Sequence, residues 1–144
     1  MKINENIKVG ETEKTLKSLV EEQSSINSNF AQIDLQTISV NASTSETTCG
    51  SYTIPESGLY LITGTCNPNY YGVSGRELHT YLRRNGAEIW NQVGVINIYA
   101  YTLSREIAYL GNFNKNDVVT FSVKSGTASN WAFAGGTLRF VKLK

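Results

Sequence analysis

The stretch Tyr52–Tyr60, which reads Tyr-Thr-Ile-Pro-Glu-Ser-Gly-Leu-Tyr, constrains the fold more than any other part of the sequence. Pro55 has a fixed φ and no backbone N–H, so a strand that reaches it must end there. Gly58 supplies the backbone freedom that a corner needs, and the apolar run Leu59–Ile62 follows it. The pattern predicts a strand, a corner and a second strand that is covered on both faces.

The composition fits one β-rich globular domain. The chain has 144 residues, which is enough for one core and too few for two ordinary domains. Hydrophobic residues make up 40% and charged residues 17%, which excludes a disordered chain. The formal net charge is +1, so no overall field attracts nucleic acid or anionic lipid. We therefore predict that nucleic acid is not a partner.

The sequence shows no membrane-crossing or secretory segment. No apolar run approaches the length needed to cross a bilayer. Residues 1–10 alternate polar and apolar side chains and lack the apolar core of a signal peptide. We therefore expect a protein that is made in the cytoplasm and does not insert into a membrane.

The N-terminal residues follow a helical period. A 4-3 spacing links Val9, Thr12, Leu16, Leu19, Gln23, Ile26, Phe30 and Ile33. Thr12 is a plausible helix start, and no Pro or Gly interrupts residues 11–33. Two interpretations stay open: an amphipathic helix packed on its own domain, or a parallel coiled-coil stalk that joins several chains. We favour the stalk, because a single helix of this length is marginal in water. This divides the chain into a helical stem, residues 1–32, and a head, residues 33–144.

From about Phe30 onward the period changes to two, as in β-strands. The turn at Asn85-Gly86 is the strongest hairpin signal, because this dipeptide tolerates the positive φ of a type I′ turn. Many short strands with no helix between them predict an all-β fold, either a two-sheet sandwich or a jelly roll. The predicted strands lie near residues 33–41, 47–54, 58–66, 77–84, 87–99, 101–110, 116–124 and 136–143.

Three of these strands are apolar on both faces: Leu59–Ile62, Ile98–Leu103 and Leu138–Leu143. A sandwich covers only one face of each strand, so the second face needs another cover. A neighbouring subunit is the simplest cover. We therefore predict an oligomer whose interface includes Leu16, Leu19, Ile26, Leu59, Leu61, Tyr99, Tyr101, Val141 and Leu143.

The reactive residues do not form a pattern that predicts catalysis. His79 is the only histidine, and it alternates with neighbours as in an ordinary strand position. Cys49 and Cys66 would face one another if the strands beside Pro55 formed a hairpin, and would lie in different sheets of a jelly roll. We favour free, buried thiols. We predict a protein that is not an enzyme, with no catalytic residue, no metal site and no cofactor.

Aromatic residues near loops are the best candidates for binding. Tyr70 and Tyr71 lie in a polar, Gly- and Asn-rich loop that ends at Arg76, and Trp131 precedes the last strand. Flat rings beside polar groups can stack on sugars or receive a protein loop. The alternative is that Trp131 fills the core or a seam between subunits. We take Tyr70, Tyr71, Arg76 and Trp131 as the candidate ligand-binding residues.

Four segments together resemble one family. Tyr52–Tyr60 resembles the Pro-Gly corner, Leu78–Gly86 the central strand and its Asn-Gly turn, Leu110–Phe121 a loop with Asp that leads into a strand, and Gly136–Val141 the closing strand. This order is similar to the jelly rolls shared by complement-type globular heads and tumour necrosis factor. The resemblance covers about residues 33–144. It implies a ten-strand jelly roll that packs as a tight trimer on a stem.

A short helical stem before such a head also resembles small structural proteins of bacteriophages. This resemblance implies a virion attachment or surface-display protein that is not catalytic, with a host glycan or surface protein as ligand. The virion is the expected location, and the cell surface is the alternative. Two further hypotheses remain: a purely structural spike or cap, and a lyase or isomerase on a cupin-like roll. The second requires bound metal, and the chain lacks the histidine cluster that would hold it.

Overall fold

The computed structural model describes the backbone of residues 6–9, 12–15, 29–40, 45–70, 76–96, 104–125 and 131–144. Side chains are described for residues 29–38, 45–67, 78–93, 104–124 and 135–144. In these parts of the chain, no helix is long and apolar enough to cross a membrane.

The described residues form two packed antiparallel sheets and one separate hairpin. The strands are β1 (Asn6–Val9), β2 (Thr12–Thr15), β3 (Phe30–Leu35), β4 (Ile38–Val40), β5 (Thr47–Thr53), β6 (Gly58–Tyr70), β7 (Arg76–Arg84), β8 (Ala87–Ile96), β9 (Arg105–Phe113), β10 (Val118–Ser125) and β11 (Trp131–Lys142). The four-stranded sheet has the order β5-β10-β7-β8, and the five-stranded sheet has the order β3-β11-β6-β9 with β4 paired to β11. The all-β, two-sheet prediction is confirmed.

The core lies between the inward faces of the two sheets. On β10, Val119, Phe121 and Val123 are almost fully buried, as the period-two pattern requires. Phe140 on β11 is equally buried, and its ring stacks on that of Tyr52 from the other sheet at 4.3 Å between centroids. Alternation of apolar and polar residues therefore determines which face of each strand is inside.

The Pro55 corner carries the chain from one sheet to the other. β5 ends at Thr53 in the four-stranded sheet, and β6 begins at Gly58 in the five-stranded sheet. Cys49 and Cys66 consequently lie in different sheets, and both are free, buried thiols. The predicted turn between β7 and β8 is also present.

The N-terminal prediction needs a correction at both ends of the proposed helix. Thr12–Thr15 pairs with Asn6–Val9 as an antiparallel hairpin, and β3 begins at Phe30. The helix prediction is therefore wrong for residues 12–15 and 30–32. β-branched threonines favour a strand at Thr12–Thr15. Residues from Phe30 onward form a strand because they pair with β11. Residues 16–28 of the predicted stem lie outside the described residues.

The two ends of the sandwich differ in their connections. At one end lie the turns 54–57, 85–86 and 114–117 together with the C-terminus; we call this the short-turn end. The strands at the opposite end are joined through residues 41–46, 71–75, 97–104 and 126–130, and we call this the long-connection end.

Asp117 holds the turns of the short-turn end together. Its Oδ2 accepts the Asn114 N–H at 2.7 Å, and its Oδ1 accepts the Asn85 amide at 2.7 Å. The Arg84 guanidinium lies 2.6 Å from Oδ2, and Asn85 Oδ1 accepts the Val118 N–H at 2.8 Å. The bond from Asn114, followed by those from Asn85 and Arg84, lowers the pKa of Asp117.

Loss of the Asp117 carboxylate is expected to destabilise the head. Because the pKa of Asp117 is lowered in the folded state, its contribution to the free energy of unfolding is complete above the usual pKa range of a carboxyl group. It is lost as the pH falls through the lowered folded pKa, below about pH 4. Thermal melts should show Asp117→Ala melting roughly 5–10 °C lower at neutral pH, with a weaker loss of stability in acid.

The matched control for this prediction is Glu88→Gln, which changes an exposed carboxylate on β8. Its melting temperature should stay close to that of the unmodified chain. Equal acid sensitivity of Asp117→Ala and the unmodified chain would show that Asp117 does not cause the acid response.

Candidate oligomer face and candidate binding end

The outward face of the five-stranded sheet carries a continuous apolar row. Val141 on β11 is the Cα partner of Phe30 on β3 and of Leu61 on β6. Leu61 is in turn the partner of Leu110 on β9. Directly opposed residues of an antiparallel pair share one face, and the neighbouring Ile62 faces the core. The row therefore crosses four strands on the side away from the core.

Two further residues widen this row into a band. The Leu143 N–H donates to the Leu59 carbonyl oxygen at 2.7 Å, which places both residues beside the row. Phe30 is 48% exposed, Leu110 57% and Leu143 50%. Large contiguous apolar patches on a sheet face mark interaction surfaces. We call this set the apolar band: Phe30, Leu59, Leu61, Leu110, Val141 and Leu143.

The same face becomes polar toward the long-connection end. Arg139 is the Cα partner of Gln32 and Thr63, and its Nε donates to Gln32 Oε1 at 3.1 Å. The next positions hold Asp34 and Glu106, which are both exposed. The apolar band is thus confined to the half of the face nearer the short turns.

The structure brings four predicted interface residues onto this face: Leu59, Leu61, Val141 and Leu143. The other five, Leu16, Leu19, Ile26, Tyr99 and Tyr101, lie outside the described residues. Sequence reasoning missed two members of the band. Phe30 was assigned to the helical period, and Leu110 was not singled out. The signal for Leu110 was present, because apolar residues occur at successive positions of β9 and cannot all face the core.

The candidate ligand-binding residues lie at the long-connection end. Trp131 is the Cα partner of Tyr70 on β6 and of Val40 on β4, so the backbone brings two distant aromatic positions side by side. Arg76 begins β7 at the same end of the other sheet. Tyr71 lies outside the described residues. Three of the four predicted positions therefore share one end of the sandwich.

The thiols and the histidine do not form a nucleophilic site. Burial raises the pKa of Cys49 to about 12, with nearby Cys66 as a second cause. Burial likewise raises the pKa of Cys66 to about 11. Both thiols are therefore protonated at neutral pH and are weak nucleophiles. The His79 ring stacks on Tyr81 at 6.2 Å between centroids. Within the described ranges, no three His, Cys, Asp or Glu residues group as a metal site.

The outward face of the four-stranded sheet carries charges that pair with each other. The Arg83 Nε and Nη2 donate to the two Glu46 carboxylate oxygens at 2.7 and 2.6 Å. The Ser122 hydroxyl donates to the same carboxylate, and the Arg83 guanidinium lies 5.0 Å from the Tyr81 ring centroid. The hydrogen bond from Arg83 lowers the pKa of Glu46. The charged groups of this face are therefore paired with one another, and its exposed apolar residues, Val93 and Val118, do not form a row like the apolar band.

These strand orders and the Pro55 corner define a jelly roll of the tumour necrosis factor type, as the sequence resemblance implied. No protein-family model matches the chain, and no curated protein matches it in sequence. Similar folds occur among solved structures.

Murine APRIL shares 15% identity with this chain at a TM-score of 0.53, over 78% of this chain and 100% of that one. Eiger TNF from S. frugiperda shares 11% at a TM-score of 0.52, over 81% and 94%. VP2 of the infectious bursal disease virus subviral particle shares 9% at 0.55, over 78% of this chain and 32% of that one. At such low identities the likeness shows the fold alone.

Proposed function

We propose that the chain is the subunit of a homotrimeric binding protein that is not catalytic. The observation that carries this proposal is the apolar band on the outward face of the five-stranded sheet. Exposure of such a row to water is unfavourable. A partner that covers it stabilises the complex by about 25 cal/mol for each Å² of apolar surface removed from water. A second copy of the same chain is the simplest partner, because oligomers of identical subunits are the commonest kind.

The proposed role is attachment or surface display, with a virion as the location. VP2 of a subviral particle has a similar fold, so this fold is compatible with a place in a viral assembly. Protonated, buried thiols support a role without nucleophilic chemistry. A purely structural spike or cap is the second candidate, and the fold is equally compatible with it.

The proposed ligand is a host glycan or a surface protein. Tyr70 and Trp131 are neighbours in the β6–β11 pair, and aromatic rings bind sugar faces at a low cost in side-chain entropy. Tyr71 and Arg76 are also proposed as ligand-binding residues, because they follow Tyr70 closely in the sequence. Three modest sites on one trimer bind a multivalent surface with an effective affinity well above that of each site.

Sedimentation equilibrium tests the trimer directly. The full chain at micromolar concentration should sediment with the mass of three chains. A single chain that does not associate at these concentrations would overturn the proposal.

Binding to host-cell-wall glycan arrays and to whole cells tests the attachment role. The labelled trimer should bind saturably, and Tyr70→Ala and Trp131→Ala should each weaken binding by about tenfold or more. Lys115→Ala, at the opposite end of the sandwich, is the matched control and should bind normally. A trimer that binds nothing saturably would support the purely structural role instead.

A further inference from the structure

Arg105 is a charged residue on the core side of the five-stranded sheet. It begins β9, and its Cα partner on β6 is Cys66, which is fully buried. Directly opposed residues of an antiparallel pair share one face, so Arg105 lies on the inward side. Burial alternates along β9 in the same sense, because Ile107 is buried whereas Glu106 is exposed.

The Arg105 side chain reaches from one sheet to the other. Its Nη1 donates to the backbone carbonyl oxygen of Leu78, on β7 of the four-stranded sheet, at 3.3 Å. Leu78 is fully buried, while Arg105 keeps part of its surface in solvent. Because β9 begins at the long-connection end, the guanidinium lies between the sheets near that end.

This guanidinium carries a charge that no described side chain balances. The ion pairs among the described side chains involve Arg83, Arg84 and Lys142 as cations. Burial lowers the pKa of Arg105, whereas the hydrogen bond with Glu46 raises the pKa of Arg83. A guanidinium has five N–H donors and stays charged at neutral pH. Removing such a charge from water costs free energy unless an opposite charge compensates it.

An anionic group on a ligand would compensate this charge. The planar fork of a guanidinium matches a carboxylate, to which it donates two parallel hydrogen bonds. One guanidinium neutralises a singly charged carboxylate, whereas a dianionic phosphate would keep an unpaired negative charge in a partly buried place. The charge of Arg105 therefore favours a carboxylate.

The candidate aromatic residues lie within reach of the same ligand. Tyr70 is four residues beyond Cys66 on β6, which corresponds to about 13 Å along the strand. Trp131 is the Cα partner of Tyr70. A short oligosaccharide that contains a sugar acid offers a carboxylate for Arg105 and apolar sugar faces for the aromatic residues. The two features together favour a glycan over a protein loop.

We infer that Arg105 binds the carboxylate of an acidic sugar at the long-connection end. The inference rests on the proposed attachment role and adds the chemical class of the ligand. Arg105 selects sugar acids over neutral sugars, because a neutral sugar leaves the guanidinium without an opposite charge.

Thermal melting of the full chain in sodium glucuronate tests this site, with equal concentrations of glucose and sodium chloride as comparisons. Glucuronate should raise the melting temperature saturably, by about 3 °C or more, because a ligand that binds only the folded chain stabilises it. Glucose and sodium chloride should give no saturable rise. A rise that glucose reproduces, or no rise with glucuronate, would overturn the inference.

Two variants of Arg105 assign the response to this side chain. Arg105→Met removes the charge, keeps a long side chain and should abolish the rise with glucuronate. Arg105→Lys keeps the charge without the planar fork and should weaken glucuronate binding about tenfold. Arg139→Gln is the matched control, because Arg139 is exposed on the outward face of the same sheet. Equal responses of Arg105→Lys and the unmodified chain would overturn the assignment, even if Arg105→Met does not fold.

A glycan array separates this inference from the proposed function. Glycans that contain a sugar acid should bind the labelled chain about tenfold or more tightly than matched neutral glycans. Saturable binding without this preference would overturn the inference and leave the attachment role intact. A response to glucuronate without binding to any glycan or cell would overturn the attachment role and leave the carboxylate site intact.

Discussion

Replacing Leu110 by glutamate is expected to dissociate the trimer and leave the subunit folded. Leu110 is 57% exposed in the single chain, so a charged side chain there costs the isolated head little. Within a packed interface the same charge would be buried without a partner, at a cost of about 2 kcal/mol or more for each contact. A trimer has three such contacts, and its half-dissociation concentration varies as the square root of its dissociation constant, so that concentration should rise roughly a hundredfold or more. Sedimentation equilibrium over a concentration series measures this directly.

Val93→Glu is the matched control for this prediction. Val93 lies on β8 of the other sheet and is 50% exposed, which is close to the value for Leu110. The two variants add the same charge at similar exposure and differ in the face that they alter. If Val93→Glu dissociates the trimer and Leu110→Glu does not, the interface lies on the four-stranded sheet and our assignment is wrong.

Replacing Phe121 by alanine should cause the largest loss of folding stability of a single truncation in the core. The side chain is fully buried in the middle of β10, whose neighbours in the sheet are β5 and β7. Removing a buried Phe side chain costs about 3–5 kcal/mol, because transfer free energy is lost and a cavity remains. The free energy of unfolding of a folded domain is only about 5–15 kcal/mol, so this substitution would remove a large part of it.

The loss of folding stability is measured by urea denaturation of Phe121→Ala made in the Leu110→Glu variant. This variant is used because association between copies raises the apparent stability of the subunit. Val118→Ala is the control, because Val118 lies on the same strand and is 37% exposed. Its cost should stay below about 1 kcal/mol. A loss for Phe121→Ala as small as that of the control would mean that the core between the sheets is not packed as described.

Local signals in the sequence were sufficient to predict most strands and turns of the head. Pro55 and Gly58 mark the corner because their backbone limits are intrinsic to the residue types. Asn85 adopts a φ of 50° and Gly86 one of 85°, in keeping with the predicted hairpin turn. Alternation in β10 predicted which side chains are buried, because a strand has a fixed period of two.

Competition between segments limited the prediction elsewhere. Phe30 and Ile33 fit a helical spacing in the sequence, but they form part of a strand because they pair with β11. Intrinsic propensity is weak beside a full ladder of backbone hydrogen bonds and a buried face. The same limit applies to Asp117: the sequence resemblance places it in a loop before a strand, but no local pattern predicts its contacts with Arg84 and Asn85.

By itself the sequence determined the period of each head strand, the corner, the turn between β7 and β8, and an excess of apolar faces over what one sandwich can cover. These features depend on neighbouring residues alone. The tertiary structure decided which distant residues became neighbours, such as Phe30 with Val141 and Tyr70 with Trp131. Strand order and register arise from packing of the whole chain, so the apolar band became visible only once four separate strands were aligned.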